Sequence, residues 1–271
     1  MPPAPRPFPY RLIATDLDGT LLREDGTVSA RTRAALAAAV SRGAVHLVVT
    51  GRGAPGTRGV LEALGYRGLA VCGQGAQLYH AGEDRILTSV TLDRRSALAA
   101  VEKAEAELGP LALAASVDGL DGGFLAGPGF VAQGSPLVLE HASREELFAR
   151  PLTKLHVQHP TLGDDELTAA VRAQVGALVD VVLAGPGMVE LLPPGLTKAV
   201  GLSLAARRLG VARGDAIAFG DMPNDVPMLR WAAHGVAMGN AHPELAAVAD
   251  EATASNEADG IALVLERLLA G

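Results

Sequence analysis

Two aspartates, Asp16 and Asp18, lie two residues apart directly after the apolar stretch 11–15. Such a stretch predicts a buried strand, and residues i and i+2 of an extended segment point to the same side. A carboxylate removed from water must be paired, protonated or bound to a metal ion, and two adjacent carboxylates repel each other. The pair therefore predicts a cation site at the C-terminal end of this strand, where Gly19 permits a sharp turn.

Polar side chains also follow two other apolar stretches. The stretch Val45–Val49 leads into Thr50, and the stretch 216–219 precedes three residues with oxygen-bearing side chains, Asp221, Asn224 and Asp225. The spacing i, i+3, i+4 gathers these three on one side of a first helical turn. Because ligands bind beyond the carboxyl ends of parallel strands, we expect the three strand ends to form one crevice.

Oxygen ligands that include several carboxylates suit Mg²⁺, which keeps waters and commonly pairs with a phosphate. Lys198 could neutralise a phosphate oxygen, and Thr50 could donate its hydroxyl to the same group. Each residue also has a plainer interpretation. Asp16 and Asp18 could be turn or cap residues, Asp221 and Asp225 could be favoured by a helix dipole, and Lys198 could be a solvated lysine.

A second class of function is also possible, because the segment 51–56 matches the glycine fingerprint of dinucleotide-binding folds and follows a strand. That fingerprint also requires an acidic residue about twenty positions later to hold the ribose. The next predicted strand, Leu69–Cys72, is followed by Gly73 and Gln74, and no carboxylate is available there. The fingerprint alone is therefore weak support for an oxidoreductase.

Composition limits the partners. The 271 residues are 49% hydrophobic with a formal net charge of −7, and no basic run is present, so neither nucleic acid nor a membrane is an expected partner. A single cysteine, Cys72, excludes an internal disulfide and favours a reducing, cytoplasmic compartment. Residues 1–10 hold five prolines and are expected to form a disordered lead-in rather than a signal peptide.

The predicted elements divide the chain into two kinds of structure. Strand and helix alternate at both ends, which is typical of an α/β fold with a parallel sheet. From about Gln77, alternating segments and amphipathic helices indicate an α+β unit. The helix that follows Asp93 and the helix that starts near Asp164 have apolar stripes that we interpret as core faces only.

Several motifs resemble those of the haloacid dehalogenase (HAD) superfamily, and within it those of the Cof-type phosphatases with a type II (IIB) cap. The matching segments are Asp-Leu-Asp-Gly-Thr at 16–20, Thr-Gly-Arg at 50–52, Leu-Thr-Lys at 196–198, Gly-Asp-Met-Pro-Asn-Asp at 220–225, Met-Gly-Asn-Ala at 238–241 and Ser-Asn-Glu-Ala-Asp-Gly at 255–260. They occur in the family's order at both ends of the chain. The resemblance implies a Rossmann-like parallel-sheet core with an inserted α+β cap.

The resemblance also implies roles. Asp16 would attack phosphorus to form an aspartyl-phosphate, and Asp18 would first protonate the leaving oxygen and then activate water. The implied Mg²⁺ ligands are Asp16, the backbone carbonyl of Asp18, and Asp221. The shell around the ion would be oriented by Asn224 and Asp225.

The phosphate would be bound by Thr50, Gly51, Lys198 and Asn224. Asp18 favours phosphate ester hydrolysis, although phosphoryl transfer back to a sugar, as in a phosphomutase of the same fold, stays open, as does a catalytically silent regulatory relative. The chain departs from the family where Gln74 replaces an asparagine, which puts a hydrogen bond near the site in doubt, and where Ala199 replaces a glycine.

The long insertion between Thr50 and Lys198 is the position of the type II cap. We therefore expect residues 1–78 and 189–271 to form the catalytic core, and residues 79–188 to form a cap that closes over the site. The expected substrate is a small phosphorylated metabolite, such as a sugar phosphate or a cofactor-like phosphate. The sequence leaves the oligomeric state between a monomer and a small homo-oligomer.

Overall fold

The computed structural model describes residues 7–131 and 139–271. In that part of the chain the strands are β1 Leu12–Thr15, β2 Val45–Val49, β3 Leu69–Cys72, β4 Gln77–His80, β5 Arg85–Ser89, β6 Ala112–Val117, β7 Phe124–Ala126, β8 Leu139–His141, β9 Leu152–Gln158, β10 Asp180–Leu183, β11 Val189–Leu192, β12 Ala216–Gly220, β13 His234–Ala237 and β14 Glu251–Ala252. The helices are α1 Ala30–Ser41, α2 Ala54–Ala63, α3 Arg94–Leu108, α4 Arg144–Leu147, α5 Asp164–Val175, α6 Lys198–Arg208, α7 Val226–Trp231, α8 Pro243–Ala246 and α9 Gly260–Ala270.

The larger sheet has the strand order β14-β13-β12-β1-β2-β3-β4-β5. The strands from β14 to β3 are parallel, and β4 and β5 extend the edge as an antiparallel hairpin. Alternate residues of β1 enter different cores: Ile13 packs with α1 and α9 on one face, whereas Leu12 and Ala14 pack with α6 and α7 on the other. Helices on both faces bury a parallel sheet completely, which explains why its strands are almost continuously apolar. The α/β fold class is therefore confirmed.

The smaller sheet has the order β10-β11-β9-β6-β7-β8 and is antiparallel except between β7 and β8. The apolar stripes of α3 and α5 pack on one face of it, in a core that includes Val101 and Val171. Asp93 caps α3, because its side chain accepts a hydrogen bond from the backbone N–H of Ser96. Both stripes are core faces, as the sequence indicated.

The sheets divide at different residues from the predicted domain boundaries. The hairpin of β4 and β5 belongs to the larger sheet, so the change of sheet falls after Ser89 rather than at residue 79. At the other end, β11 pairs with β9 and β10, so residues 189–192 belong to the smaller sheet. The predicted boundaries differ because an alternating hairpin can pair with the edge strand of either sheet. Its sequence pattern is the same in both cases, so the pattern does not indicate which sheet the hairpin joins.

Two features near the chain ends can also be compared with the sequence. The lead-in prediction for residues 1–6 lies outside the described residues, but the prediction of disorder is wrong for Phe8. That side chain is 6% exposed, and its backbone N–H donates to the carbonyl of Arg42. Within the described ranges, no helix is long and apolar enough to cross a membrane.

Candidate active site

The carboxyl ends of β1, β2 and β12 meet at one edge of the larger sheet. Thr15, the last residue of β1, is in register with Val48 on one side and with Phe219 on the other. The backbone N–H of Asp16 donates to the carbonyl of Phe219 at 3.0 Å, so the ladder continues to the first aspartate. This pairing brings Asp16, Thr50 and Asp221 to the same edge, as the sequence predicted.

The turn after Asp16 packs directly on Asp221. Gly19 has φ +70°, and a Cβ atom there would collide with the Asp221 carboxylate. The hydroxyl of Thr20 donates to Asp221 Oδ1 at 2.9 Å. Glycine is therefore required at position 19 for two reasons, the backbone conformation and the close approach of a carboxylate.

Lys198 connects the first and last of these strand ends. Its Nζ lies 2.7 Å from Asp16 Oδ1 and 2.6 Å from Asp225 Oδ1, and its side chain is 1% exposed. Burial alone would lower the pKa of Lys198, but the carboxylates of Asp16 and Asp225 raise it above its usual value. The lysine is therefore a fixed ammonium group between two carboxylates, and the interpretation as a solvated lysine is excluded.

Three carboxylates surround this one ammonium group. Oxygens of Asp16, Asp221 and Asp225 lie within 4.8 Å of one another, and all three side chains are buried. Burial raises the pKa of Asp221 to about 7, with a further contribution from Asp225. Burial also raises the pKa of Asp16 well above its usual value, although Lys198 opposes that change. When all three are ionised, the carboxylates carry more negative charge than the single lysine balances.

The cluster fits a divalent cation. Its donors are carboxylate oxygens, which hard cations prefer, and its excess negative charge is what such an ion offsets. Asp225 is already engaged, because its Oδ2 accepts hydrogen bonds from the backbone N–H groups of Asp221 and Met222, each at 3.1 Å. Asp225 thus holds the loop that carries Asp221, as well as lying beside the candidate metal position.

The side chain of Asp18 lies apart from the carboxylate cluster. It is 54% exposed, and its two oxygens accept hydrogen bonds from Arg52 at 2.8 Å and 2.5 Å. The bidentate pair joins the loop after β1 to the loop after β2. Arg52 belongs to the Thr-Gly-Arg motif, but the sequence predicted no role for its side chain.

Thr50 and Gly51 form the loop after β2. The hydroxyl oxygen of Thr50 accepts a hydrogen bond from the backbone N–H of Arg52 at 3.0 Å, so its own proton remains available for donation. The carbonyl of Gly51 accepts from Lys154 Nζ at 2.8 Å. The predicted phosphate loop is therefore in contact with a lysine of β9, in the smaller sheet.

Several buried polar side chains that were not predicted from the sequence lie together where the two sheets meet. Lys154 forms an ion pair with Glu190, and both side chains are almost fully buried. His156 lies across from Glu190 in the register of β9 and β11, and its Nε2 lies 3.0 Å from Ser116 Oγ. Burial lowers the pKa of His156 well below its usual value, and Lys154 adds to that effect. The one available signal was the spacing i, i+2 of Lys154 and His156, which places both on one face of a strand.

The departure at Gln74 does not remove a hydrogen bond from the site. Its amide donates to Glu190 at 2.8 Å and accepts from Asn224 at 3.0 Å. The predicted site residue Asn224 is thereby linked to the smaller sheet.

A cavity of about 500 Å³ lies between the two sheets and contains the candidate chemistry. The larger sheet contributes Asp16, Asp18, Arg52, Lys198 and Asn224 to its lining, and the smaller sheet contributes Ser116, Phe124, Lys154, His156, Met188 and Glu190. A larger cavity of about 700 Å³, near Pro110 and Pro160, contains none of the clustered carboxylates. We therefore place the candidate site in the smaller cavity, which contains Asp16, Asp18 and Lys198.

The sequence matches the family of haloacid dehalogenase-like hydrolases over residues 13–265. It is 30% identical over 248 residues to an HMP-PP phosphatase of Serratia proteamaculans, which is 87% of this chain and 86% of that protein. It is also 30% identical over an alignment of 284 residues to the 5-amino-6-(5-phospho-D-ribitylamino)uracil phosphatase YitU of Bacillus subtilis, with 95% of this chain and 97% of that protein covered.

A similar fold is found in a solved HAD subclass IIB sugar phosphatase. The TM-score is 0.79 at 22% identity, and the match covers 95% of this chain and 98% of that one. At this identity the likeness concerns the fold, and it spans both sheets.

Proposed function

Because the chain belongs to the haloacid dehalogenase-like hydrolases and is a phosphatase of that family, we propose that Asp16 is its nucleophile and that Mg²⁺ is its metal ion. The observation that carries the proposal is the buried cluster around Lys198. It places a carboxylate at the end of β1, beside a fixed ammonium group, in a cavity that is open to a substrate. Members of this family generally use a divalent metal.

Asp16 forms the aspartyl-phosphate in this proposal. Its carboxylate attacks phosphorus, the bond to the leaving oxygen breaks, and water later releases inorganic phosphate, so one difficult step becomes two easier ones. Without metal, burial favours the neutral form of Asp16, which is a poor nucleophile. When bound, Mg²⁺ would stabilise the ionised carboxylates of Asp16 and Asp221 and offset the charge of the phosphate. Asp225 would complete the site by holding the Asp221 loop.

Asp18 is the proposed general acid and base. Its carboxyl group stands at the cavity outside the buried cluster, so it is free to exchange a proton with the leaving oxygen and then with water. Its backbone carbonyl is the proposed third protein ligand of the metal. Arg52 holds the carboxylate in a bidentate pair and must yield this contact, at least in part, when Asp18 delivers its proton.

The phosphate is held by Thr50, Gly51 and Lys198 in this proposal, and the phosphate contact that the resemblance implied for Asn224 is not kept. Thr50 contributes a hydroxyl proton, Gly51 a backbone N–H, and Lys198 an ammonium group, so positioning and charge neutralisation supply most of the rate. Asn224 differs from the others because its free atom is an acceptor, which suits a water molecule better than an ionised phosphate oxygen.

The cap is the proposed source of substrate choice. Residues 90–192, which carry the smaller sheet, would form the wall that faces the reacting phosphate, since Ser116, Phe124 and His156 line the same cavity as Asp16. The named activities of the relatives define a first substrate panel: HMP-PP, 5-amino-6-(5-phospho-D-ribitylamino)uracil and sugar phosphates. We propose a cytoplasmic enzyme that acts on a small phosphorylated metabolite of this kind.

Release of inorganic phosphate from that panel tests the proposal. We expect turnover with Mg²⁺, its loss in EDTA, and its loss in the variant Asp16→Asn. Full activity of Asp16→Asn would show that another residue is the nucleophile. Recovery of an isomeric sugar phosphate instead of free phosphate would identify a phosphomutase. The family assignment favours a phosphatase over a dinucleotide-binding oxidoreductase. A nicotinamide bound to the purified protein would make the oxidoreductase a candidate again.

A further inference from the structure

Gln74 has an unusual backbone for its residue type. It lies in the left-handed region at φ 61°, ψ 24°, and its side chain is 1% exposed. Residues other than glycine and asparagine rarely adopt this backbone conformation, and it persists only where the surrounding structure enforces it. It is also one of two positions, with Ala199, at which the motifs differ from the pattern that they resemble. The proposed reaction gives Gln74 no role that would explain its left-handed backbone.

The side chain of Gln74 bridges the two halves of the cavity. Its Nε2 donates to Glu190 Oε2 at 2.8 Å, in β11 of the smaller sheet. Its Oε1 accepts from Asn224 Nδ2 at 3.0 Å, in the loop after β12 of the larger sheet. Both partners are buried, so these bonds form without competition from water.

The orientation of this chain of hydrogen bonds is fixed at the Glu190 end. Lys154 has only donors and occupies Glu190 Oε1, and a carboxylate has only acceptors. Gln74 must therefore turn its NH₂ group toward Glu190. Its oxygen then faces Asn224, which must turn its own NH₂ group toward Gln74.

The last atom in the chain is the carbonyl oxygen of Asn224. This Oδ1 is buried and has no hydrogen-bond partner among residues 7–131 and 139–271. Asn224 lines the cavity together with Asp16 and Asp18. A buried acceptor without a partner is costly, so its presence beside the candidate chemistry points to a donor that arrives from the cavity, such as water.

We propose that Gln74 is a positioning residue that relays the hydrogen-bond polarity of the Lys154–Glu190 pair to Asn224. The relay makes Asn224 present its oxygen, and not its NH₂ group, to the active site. Its catalytic consequence rests on the proposed function, whereas the relay itself depends only on the contacts of four side chains.

The length of glutamine matters for this role. Gln74 Nε2 lies where a Cβ atom on Gly51 would be only 2.7 Å away, so the amide passes directly over the loop after β2. An asparagine is one methylene shorter and would have to give up one of the two partners. Glutamine at position 74 thus makes a link that asparagine could not make.

A reversal of polarity tests the relay. In Glu190→Gln, the new amide oxygen accepts from Lys154, so the new NH₂ group faces Gln74 and turns it round. In Asn224→Asp, a carboxylate faces the oxygen of Gln74 and repels it. In the double variant, the reversed Gln74 donates to the new carboxylate, and the chain is satisfied again.

The first readout is thermal stability in EDTA, which requires no activity. We expect Asn224→Asp to lower the melting temperature by roughly 5 °C in the wild-type background, and by much less in the Glu190→Gln background. A matched control is Glu105→Gln, which alters the ion pair between Glu105 of α3 and Arg144 of α4. The control should leave the cost of Asn224→Asp unchanged. An equal cost of Asn224→Asp in the wild-type and Glu190→Gln backgrounds would overturn the relay.

The second readout is steady-state phosphatase activity with Mg²⁺. We expect Gln74→Asn to lower kcat about tenfold while KM changes less than about threefold, because Gln74 acts through Asn224 and does not line the cavity. Glu190→Gln should lower kcat by a similar factor, although Glu190 lines the cavity and its KM is not part of the test. Unchanged kcat in both variants would refute the positioning role. If the stability coupling is present and the wild-type protein releases no phosphate, the proposed function fails and the relay stands.

Discussion

Asp221 should make the metal-free protein less stable as the pH rises. Burial raises the pKa of this carboxyl group from 3.8 to about 7, so the folded chain holds a proton that the unfolded chain releases near pH 4. Between these values the folded state binds more protons, and the free energy of unfolding therefore falls with increasing pH. A difference of about three pH units at 1.36 kcal/mol each corresponds to about 4 kcal/mol.

Denaturant unfolding in EDTA at several pH values between 4 and 8 measures this effect. The matched variant is Asp221→Asn, which keeps the acceptor for Thr20 and removes the ionisable group. We expect wild type to lose about 4 kcal/mol relative to the variant across this range, and Mg²⁺ to restore most of that loss above pH 7. Parallel pH profiles of the two proteins in EDTA would refute the account of the cluster as an excess of buried negative charge.

Three further predictions concern other residues. Gly19→Ala should abolish turnover and lower the free energy of unfolding more than Gly26→Ala. Both glycines have positive φ, but of the two a Cβ atom would meet a carboxylate only at Gly19. Equal effects of the two variants in activity and unfolding assays would contradict this. Arg52→Lys should lower kcat about tenfold by loosening Asp18 while the charge is kept, and an unchanged pH–rate profile and kcat would exclude that role. His46 should make the protein less stable on acidification, because burial lowers its pKa to about 4, so the unfolded state alone takes up its proton between pH 6.5 and 4. The expected loss is about 3 kcal/mol, and His46→Gln should remove it from the unfolding profile.

The convergence of the strand ends could be predicted because it follows from local patterns. Continuous apolar runs indicate parallel strands, and adjacent parallel strands end at one edge of their sheet. Asp16, Thr50 and Asp221 each follow such a run, so their meeting required no knowledge of long-range contacts. The histidine of β2, His46, has a partner in the neighbouring strand, since its Nε2 lies 2.8 Å from Thr15 Oγ1.

The link between the sheets could not be predicted in the same way. Glu190 and His156 are neighbours because β11 pairs antiparallel with β9, and the register of distant strands is not encoded in either segment alone. The same is true of the hairpin at Gln77–His80 and Arg85–Ser89, whose alternation does not say which sheet it joins. The departure at Gln74 was visible in the sequence, but its partners became known only when both sheets were in place.

Acid quenching during turnover tests the central claim most directly. A substrate with a radiolabelled phosphate and a leaving group that needs no protonation should leave label on the peptide that contains Asp16. The label should increase in Asp18→Asn, which still forms the acyl phosphate but no longer activates the water that releases it. Base treatment should remove the label, as expected for an acyl phosphate. Label on another peptide, or active enzyme that shows no label in either protein, would contradict the assignment of Asp16 as the nucleophile.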